Sequence, residues 1–290
     1  MSMLIVRTVT EMRSQVSQWH ADGESVAVVP TMGALHEGHL SLVRAAKGRA
    51  GRVIVTLFVN PTQFNNSEDL ATYPRDESTD AGRLEAEHVD VLFAPDIDQM
   101  YPDGFATEVT VSRLSEGLCG AHRPGHFDGV ATVVTKLLLQ TQADAAFFGE
   151  KDYQQLAIIR RLALDLDIPV DIVGVSTVRE ADGLAMSSRN VRLSAMAREQ
   201  APALAEALAR AGASIEAGDS IVASLETAQG ALLKAGFAEV EYFELRDAET
   251  LEPVTALKRP ARLLAAAWLD NVRLIDNMAV LPPMSRHQEH

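Results

Sequence analysis

Val26-Ala-Val-Val-Pro-Thr-Met-Gly-Ala-Leu-His-Glu-Gly-His39 runs from an unbroken apolar stretch into two histidines three residues apart. The run Val26 to Val29 is short and rich in β-branched residues, which suits a buried parallel strand. Leu40, Leu42, Val43, Ala45 and Ala46 then recur at helical spacing, so His36 and His39 open a helix. A helix start leaves its first amide N–H groups unpaired and carries partial positive charge, and Gly33 and Gly38 allow close approach to the backbone. The imidazoles are therefore expected to face an anion, and a phosphate suits the place best. Two other uses of the histidines compete with this one. Either can be a hydrogen-bonded structural residue. A zinc pair is disfavoured, because the spacing is i, i+3 rather than the i, i+4 of His-Glu-x-x-His, with Gly38 inside it.

Outward from this stretch the pattern is a βαβ rhythm. Strands are expected at Val26 to Val29, Val53 to Val59, Val91 to Ala94, Ala145 to Phe148 and Val170 to Val175. Helices are expected up to Ala50, near Ser78 to His88, and over Phe127 to Gln142 and Tyr153 to Leu166. Five parallel strands with covering helices make a doubly wound α/β sheet, whose ligands bind where the loops gather beyond the carboxyl ends of the strands. Pro30 to His39, Asn60-Pro-Thr-Gln-Phe64 and Gly149-Glu-Lys-Asp152 each follow such a strand.

From about Ser194 the pattern changes to alanine-rich helices, Ala195 to Gly212 and Ile221 to Ala235, and extended runs, Glu239 to Arg246 and Arg262 to Leu269. The division expected is a Rossmann-like domain over 1–178, a smaller α+β, lid-like domain over 179–283, and a polar tail at 284–290 outside the fold. The polar stretch near 176–190 is suited to closing over a cleft.

With 290 residues, 47% hydrophobic and 23% charged, the chain can bury a sizeable core. Its formal charge of −14 opposes non-specific attraction to nucleic acid or anionic membrane, so an anionic ligand must be met by local positive groups. The lone Cys119 permits no internal disulfide, no secretion signal opens the chain, and no apolar run is long enough to span a bilayer. A soluble, cytoplasmic protein is expected.

Lys151 follows a strand end, with Asp152 placed to cap the next helix, so a cation is expected at the same rim as the histidines. Ser187, Ser188 and Arg189 combine two hydroxyls with a bidentate cation, a set suited to a polyphosphate. Gln63 and Gln155 offer neutral amides for a small polar acid, and Arg123 and His126 lie in a further polar stretch. Walker A, Gly-x-Gly-x-x-Gly and Gly-x-Ser-x-Gly sequences do not occur, which argues against a P-loop NTPase, a Rossmann dehydrogenase and a serine hydrolase.

Pro30 to His39 together with Met186-Ser-Ser-Arg189 resembles the nucleotidylyltransferase arrangement shared with class I aminoacyl-tRNA synthetases. Phe58-Val-Asn-Pro-Thr-Gln-Phe64, Tyr73-Pro-Arg75, Arg123-Pro-Gly-His-Phe127 and Phe148-Gly-Glu-Lys-Asp-Tyr-Gln-Gln155 sharpen it to the pantothenate synthetase family. Glu244-Leu-Arg-Asp247 and Leu274-Ile-Asp-Asn277 extend the resemblance into the second domain.

The resemblance implies an ATP-dependent condensation of (R)-pantoate with β-alanine to pantothenate, AMP and pyrophosphate through pantoyl adenylate. It implies that His36 and His39 stabilise the α-phosphate, with His39 a candidate proton donor, and that Lys151 and Arg189 are catalytic. ATP would lie against Met32, Gly33, Ala34, Leu35, His36, Glu37, Gly38 and His39, against Gly149, Glu150, Lys151 and Asp152, and against Val178, Met186, Ser187, Ser188 and Arg189. Gln63 and Gln155 would hold pantoate, with Asn60, Tyr73, Arg123 and His126 also on the substrate side. Mg²⁺ would be held mainly by the ATP phosphates rather than by protein ligands, and the protein would be a homodimer. Adenylation of another small carboxylic acid is the alternative. A tRNA-charging enzyme is disfavoured by the acidic charge and short C-terminal region, and a nucleotide-binding regulator would not need both glutamines and both histidines.

Overall fold

The computed structural model describes residues 3–65 and 70–283, so the expected tail at 284–290 lies outside the described residues. The chain divides into two compact units, Met1–Val178 and Arg179–His290.

The first unit is built on a parallel sheet of strands β1 (Leu4–Val6), β2 (Val26–Thr31), β3 (Arg52–Leu57), β4 (Val91–Phe93), β5 (Ala145–Gly149) and β6 (Asp171–Val175), in the order β1-β4-β3-β2-β5-β6. Side chains alternate across β2, and both faces are buried. Val26 and Val28 pack with Met12, Val16 and Trp19 of helix Val9–Ala21 and with Val130 and Val134 of helix His126–Thr141. Ala27 and Val29 pack with Leu42, Val43 and Ala46 of helix Glu37–Lys47 and with Leu84 of helix Glu77–Ala86. Burial on both faces explains why β2 reads as a continuous apolar run.

The sheet has six strands where five were expected. The extra strand, β1, is three residues long and pairs Leu4 with Val91 at the sheet edge, where Leu4 and Ile5 remain 47% and 42% exposed. All three residues of the strand are apolar, but a run of three is too short to tell a strand from any other apolar stretch. The chain leaves β2 towards β3 and β4 on one side, then returns to β5 and β6 on the other. The switch point therefore lies between the carboxyl ends of β2 and β5, where doubly wound sheets bind ligands.

In the second unit, helices Ala203–Glu216 and Ile221–Lys234 cover an antiparallel sheet, β7 (Glu239–Asp247), β8 (Ala261–Leu269) and β9 (Val272–Val280), around an apolar core. The helix expected over Ala195 to Gly212 is two helices, Ala195–Gln200 and Ala203–Glu216. Pro202 has no N–H to donate, so the hydrogen-bond ladder is interrupted there, although Ala201 (φ −56°, ψ −35°) and Pro202 (φ −58°, ψ −21°) keep right-handed helical dihedrals. Strand β9 also goes beyond the expectation. It follows β8 through Asp270 and Asn271, both at positive φ (52° and 58°), as a two-residue hairpin turn requires.

Candidate active site

The turn after β2 is wound through two left-handed residues, Gly33 (φ 83°) and Ala34 (φ 52°). It is held from below by helix Glu77–Ala86. Asp80, only 2% exposed, accepts the N–H groups of Ala34 and Leu35, each at 2.8 Å. Arg83, one helical turn on, donates to the Leu35 carbonyl. A Cβ on Gly33 would lie 3.0 Å from the Asp80 carboxylate, so this position needs glycine for space as well as for φ.

The histidines form a reciprocal cap of the helix that follows. The Gly38 N–H donates to His36 Nδ1 (3.1 Å), and the His36 N–H donates to His39 Nδ1 (3.3 Å). The rings lie 4.2 Å apart. A backbone N–H can only donate, so both Nδ1 atoms are unprotonated and each neutral ring carries its proton on Nε2. Burial is the main cause that pushes His36 down to about 4, with the Lys151 ammonium acting in the same direction. Burial and then His36 itself push His39 down to about 3. The open amide cradle expected at this helix start is thus largely filled: the Ala34, Leu35, His36, Gly38 and His39 N–H groups all have acceptors within the protein. What the turn offers a ligand is a pair of imidazole Nε2–H donors. Glu37 is drawn along the helix into an ion pair with Arg44.

This assignment fixes a pH dependence. An unfolded histidine binds protons below about 6.5, whereas these rings stay neutral until about pH 4 and 3. Their contribution to stability is present above 6.5 and is lost as pH falls towards 3, because the unfolded chain then binds more protons. Imidazole ¹⁵N spectra of the folded protein are expected to show neutral Nε2–H tautomers for His36 and His39 from about pH 8 to 5. A titration of either ring near 6.5 would contradict the cap.

Across the switch point, Gly149 ends β5 and Glu150–Asp152 makes one 3₁₀ turn before helix Tyr153–Asp165. Lys151 is mostly buried, with Nζ 3.9 Å from Asp152, and its charge is felt by both histidines. Asp152 does occupy the N-cap position, but its side chain makes no capping hydrogen bond. Gln155 lies half-buried in the first turn of the helix. Its neighbour Gln154 is structural, accepting the Cys119 N–H at 3.0 Å and donating to the Leu114 carbonyl at 3.0 Å.

A polar network sits beyond β3. Asn60 Nδ2 donates to Gln63 Oε1 (3.1 Å) and to the Gly129 carbonyl (3.1 Å), while its Oδ1 accepts from Thr62 Oγ1 (2.9 Å) and Tyr101 (2.8 Å). Gln63 Nε2 donates to Met32 Sδ at 3.1 Å, tying this network to the turn that carries the histidines. Gly129 packs directly under it, and a Cβ there would meet Thr62 backbone atoms at 2.6 Å. Tyr73 packs edge-on against Phe64.

Arg123 and His126, expected to touch substrate, are engaged with Gln63. His126 Nδ1 donates to the Gln63 carbonyl (2.8 Å), and Arg123 donates to His126 Nε2 (3.0 Å) and to the same carbonyl (3.3 Å). A carbonyl only accepts and a guanidinium only donates, so His126 is the Nδ1–H tautomer, opposite to His36 and His39. Within this network Arg123 and His126 fix where Gln63 sits.

Val178 is half-buried at the end of the first unit, shortly after β6. Met186, Ser187, Ser188 and Arg189 are half-buried in the second unit, where the Arg189 N–H donates to Ser187 Oγ at 3.2 Å. Asp80 and Arg83 were not among the residues expected at the site. The available signal was a carboxylate at helical spacing from Leu84, on the apolar face of the helix, which requires buried donors.

Known proteins share the sequence and the fold of this chain. The sequence model of the family described as pantoate-beta-alanine ligase matches residues 4–279. Pantothenate synthetase of Chelativorans sp. (strain BNC1) is 62% identical over 283 residues, covering 98% of this chain and 100% of the relative. That of Roseobacter denitrificans is 55% identical over 99% of this chain and 100% of the relative. The crystal structure of pantothenate synthetase from Thermus thermophilus superposes with a TM-score of 0.91 at 46% identity, over 97% of this chain and 100% of that one. Pantoate-beta-alanine ligase from Francisella tularensis, solved in complex with beta-gamma ATP and beta-alanine, superposes with a TM-score of 0.80 at 35% identity, over 95% and 97% of the two chains. Sequence match and superposition both run across the two units, so what is shared is a whole enzyme rather than a nucleotide-binding half: the chain belongs to the pantoate–β-alanine ligase family.

Proposed function

We propose that the protein joins (R)-pantoate to β-alanine at the expense of ATP, through pantoyl adenylate, with release of pyrophosphate and then AMP. The observation that carries this is the pair of neutral imidazoles, each with Nε2–H as its donor, at the switch point beside Lys151. In the first step a pantoate carboxylate oxygen attacks the α-phosphorus, and the bond to the pyrophosphate oxygen breaks. Negative charge builds on the α-phosphoryl and leaving oxygens. Positioned donors and a cation stabilise that charge without reorganising during the step.

A neutral ring does not readily give up its Nε2 proton, so His39 acts as a hydrogen-bond donor rather than as the proton donor first expected. Pyrophosphate leaves as a weak base and needs no proton. In the second step the free-base amine of β-alanine attacks the acyl carbon, the bond from that carbon to the phosphate oxygen breaks, and AMP departs while the amide nitrogen gives up one proton to solvent.

On the acid side, Gln63 has one N–H beyond the Met32 contact to offer pantoate. Both polar atoms of Asn60 are occupied within the protein, so its role is to orient Gln63. Gln155 and Tyr73 complete the assigned acid side. Ser187, Ser188 and Arg189 are assigned to the polyphosphate on their chemistry, and Gly149, Asp152 and Val178 to the nucleoside. A Mg²⁺ ion would be carried on the nucleotide phosphates, where it would neutralise charge. A cytoplasmic homodimer completes the proposal. No helix among the described residues is long and apolar enough to cross a membrane, and the lone Cys119 is buried.

ATP–pyrophosphate exchange with pantoate and without β-alanine, beside a pantoate-free control, tests the reaction. Pantoate-dependent exchange is expected, and its absence in folded protein overturns the proposal. Gly129→Ala tests the acid side. Overpacking against the Thr62–Gln63 backbone costs on the order of 1–3 kcal/mol, and if Gln63 shifts in response, KM for pantoate rises about tenfold or more while KM for ATP stays near wild type. Equal rises in both constants would place Gln63 elsewhere.

A further inference from the structure

Two stretches of the second unit, Glu244-Leu-Arg-Asp247 and Leu274-Ile-Asp-Asn277, take no part in the chemistry assigned above. Asp276 is 3% exposed, on strand β9 with Val272 and Leu274 of the apolar core. A lone carboxylate there would be strongly disfavoured. Arg179, 97 residues away in sequence, meets it with two parallel contacts, Nη1 to Oδ2 at 2.7 Å and Nη2 to Oδ1 at 3.0 Å.

The same guanidinium holds a turn. Arg179 Nη1 donates to the Gly183 carbonyl at 3.0 Å, and the Arg179 backbone bridges to Ala185. Glu180 N–H reaches the Leu184 carbonyl at 2.8 Å, and Gly183 takes the left-handed conformation (φ 91°). Leu184 and Ala185 are buried in the core. The chain then passes directly into Met186-Ser-Ser-Arg189, which is hung from this turn: Asn190 Nδ2 donates to the Ala185 carbonyl (3.0 Å) and Asn190 N–H to the Ser187 carbonyl (3.0 Å).

We propose that Arg179 and Asp276 are a positioning pair for Ser187, Ser188 and Arg189, setting how this segment is presented to a polyphosphate that neither of them touches. The inference rests on the assignment of those three residues to the polyphosphate. Apolar burial of Leu184 would fix the depth of the turn, but a bidentate contact also fixes its rotation, because guanidinium and carboxylate must share a plane.

The test is Arg179→Met combined with Asp276→Leu in the full chain. Asp276 is buried and Arg179 half-buried, and replacing both partners of such a pair by apolar side chains leaves no uncompensated charge in the core. The folded double variant is expected to raise KM for ATP in pantoate-dependent exchange by about tenfold, with KM for pantoate unchanged. Adding Arg189→Ala is expected to cost less than the product of the separate losses, because the pair acts through that segment. An unchanged KM for ATP, or fully multiplicative losses, overturns the inference. If the double variant does not fold, Arg179→Lys, which keeps the charge but not the fork, is read in the same way: a raised KM for ATP alone supports the pair and an unchanged one overturns it. Arg189→Ala by itself separates the two levels, since an unchanged KM for ATP there overturns the polyphosphate assignment and the inference with it.

Discussion

Alanine at position 39 is expected to lower pantoate-dependent ATP–pyrophosphate exchange by about two to three orders of magnitude, the scale of losing one preorganised donor to a developing charge. His39 does two jobs with two ring atoms. Nδ1 accepts the His36 N–H and closes the cap, and in the proposed reaction Nε2–H is the donor to the phosphate. The jobs separate with amides of different length. In His39→Asn the side-chain oxygen can reach the place of Nδ1, so the cap and its stabilisation of roughly 1 kcal/mol survive while the donor is gone. His39→Gln carries an N–H close to the place of Nε2 but loses the cap. Exchange is expected to fall as far in the asparagine variant as in alanine, with a melting temperature near wild type. The glutamine variant is expected to retain more exchange at lower stability. Near-normal exchange in His39→Asn would remove His39 from the reaction.

The parts of this molecule that were legible in the sequence are those fixed by local pattern. Burial on both faces writes β2 as an unbroken apolar run, and helix Glu37–Lys47 shows its period at once. Strand β1 escaped because its apolar run is only three residues long, and β9 because Asp276 and Asn277 interrupt its apolar pattern. For the site, the residue types were legible and their atoms were not. That His36 and His39 would meet an anion is an expectation from their place after a strand, and only the fold shows that Nδ1 of each is occupied by a backbone N–H, which leaves Nε2 for a ligand. Arg123 and His126 were expected on the substrate side, and nothing in their local pattern shows that both engage Gln63. Their engagement with the Gln63 carbonyl depends on helix His126–Thr141 meeting a turn more than 60 residues earlier, as the separation of 63 between His126 and Gln63 shows. Long-range contacts of this kind leave no local signature.

Asp80 shows the same limit with a larger consequence. Asp80→Ala leaves the Ala34 and Leu35 N–H groups without their acceptor beneath a turn that already holds two left-handed residues. Each buried donor stranded in this way costs about 1–3 kcal/mol, and at roughly 2–4 °C per kcal/mol for a chain of this size the melting temperature is expected to fall by about 5 °C or more. The rate is expected to suffer beyond the stability. The turn fixes the start of the helix that His36 caps, and a displacement of about 1 Å of reacting groups can cost on the order of a hundredfold. Exchange measured well below the melting temperature therefore isolates the positional effect. Asp80→Asn refines it, because the carboxamide oxygen can accept one of the two N–H groups while its NH₂ faces the other. A partial loss of both stability and exchange is expected, between wild type and alanine. If Asp80→Ala melts early yet exchanges at the wild-type rate when folded, the turn keeps its shape without the carboxylate, and the histidines owe their placement to their own reciprocal cap.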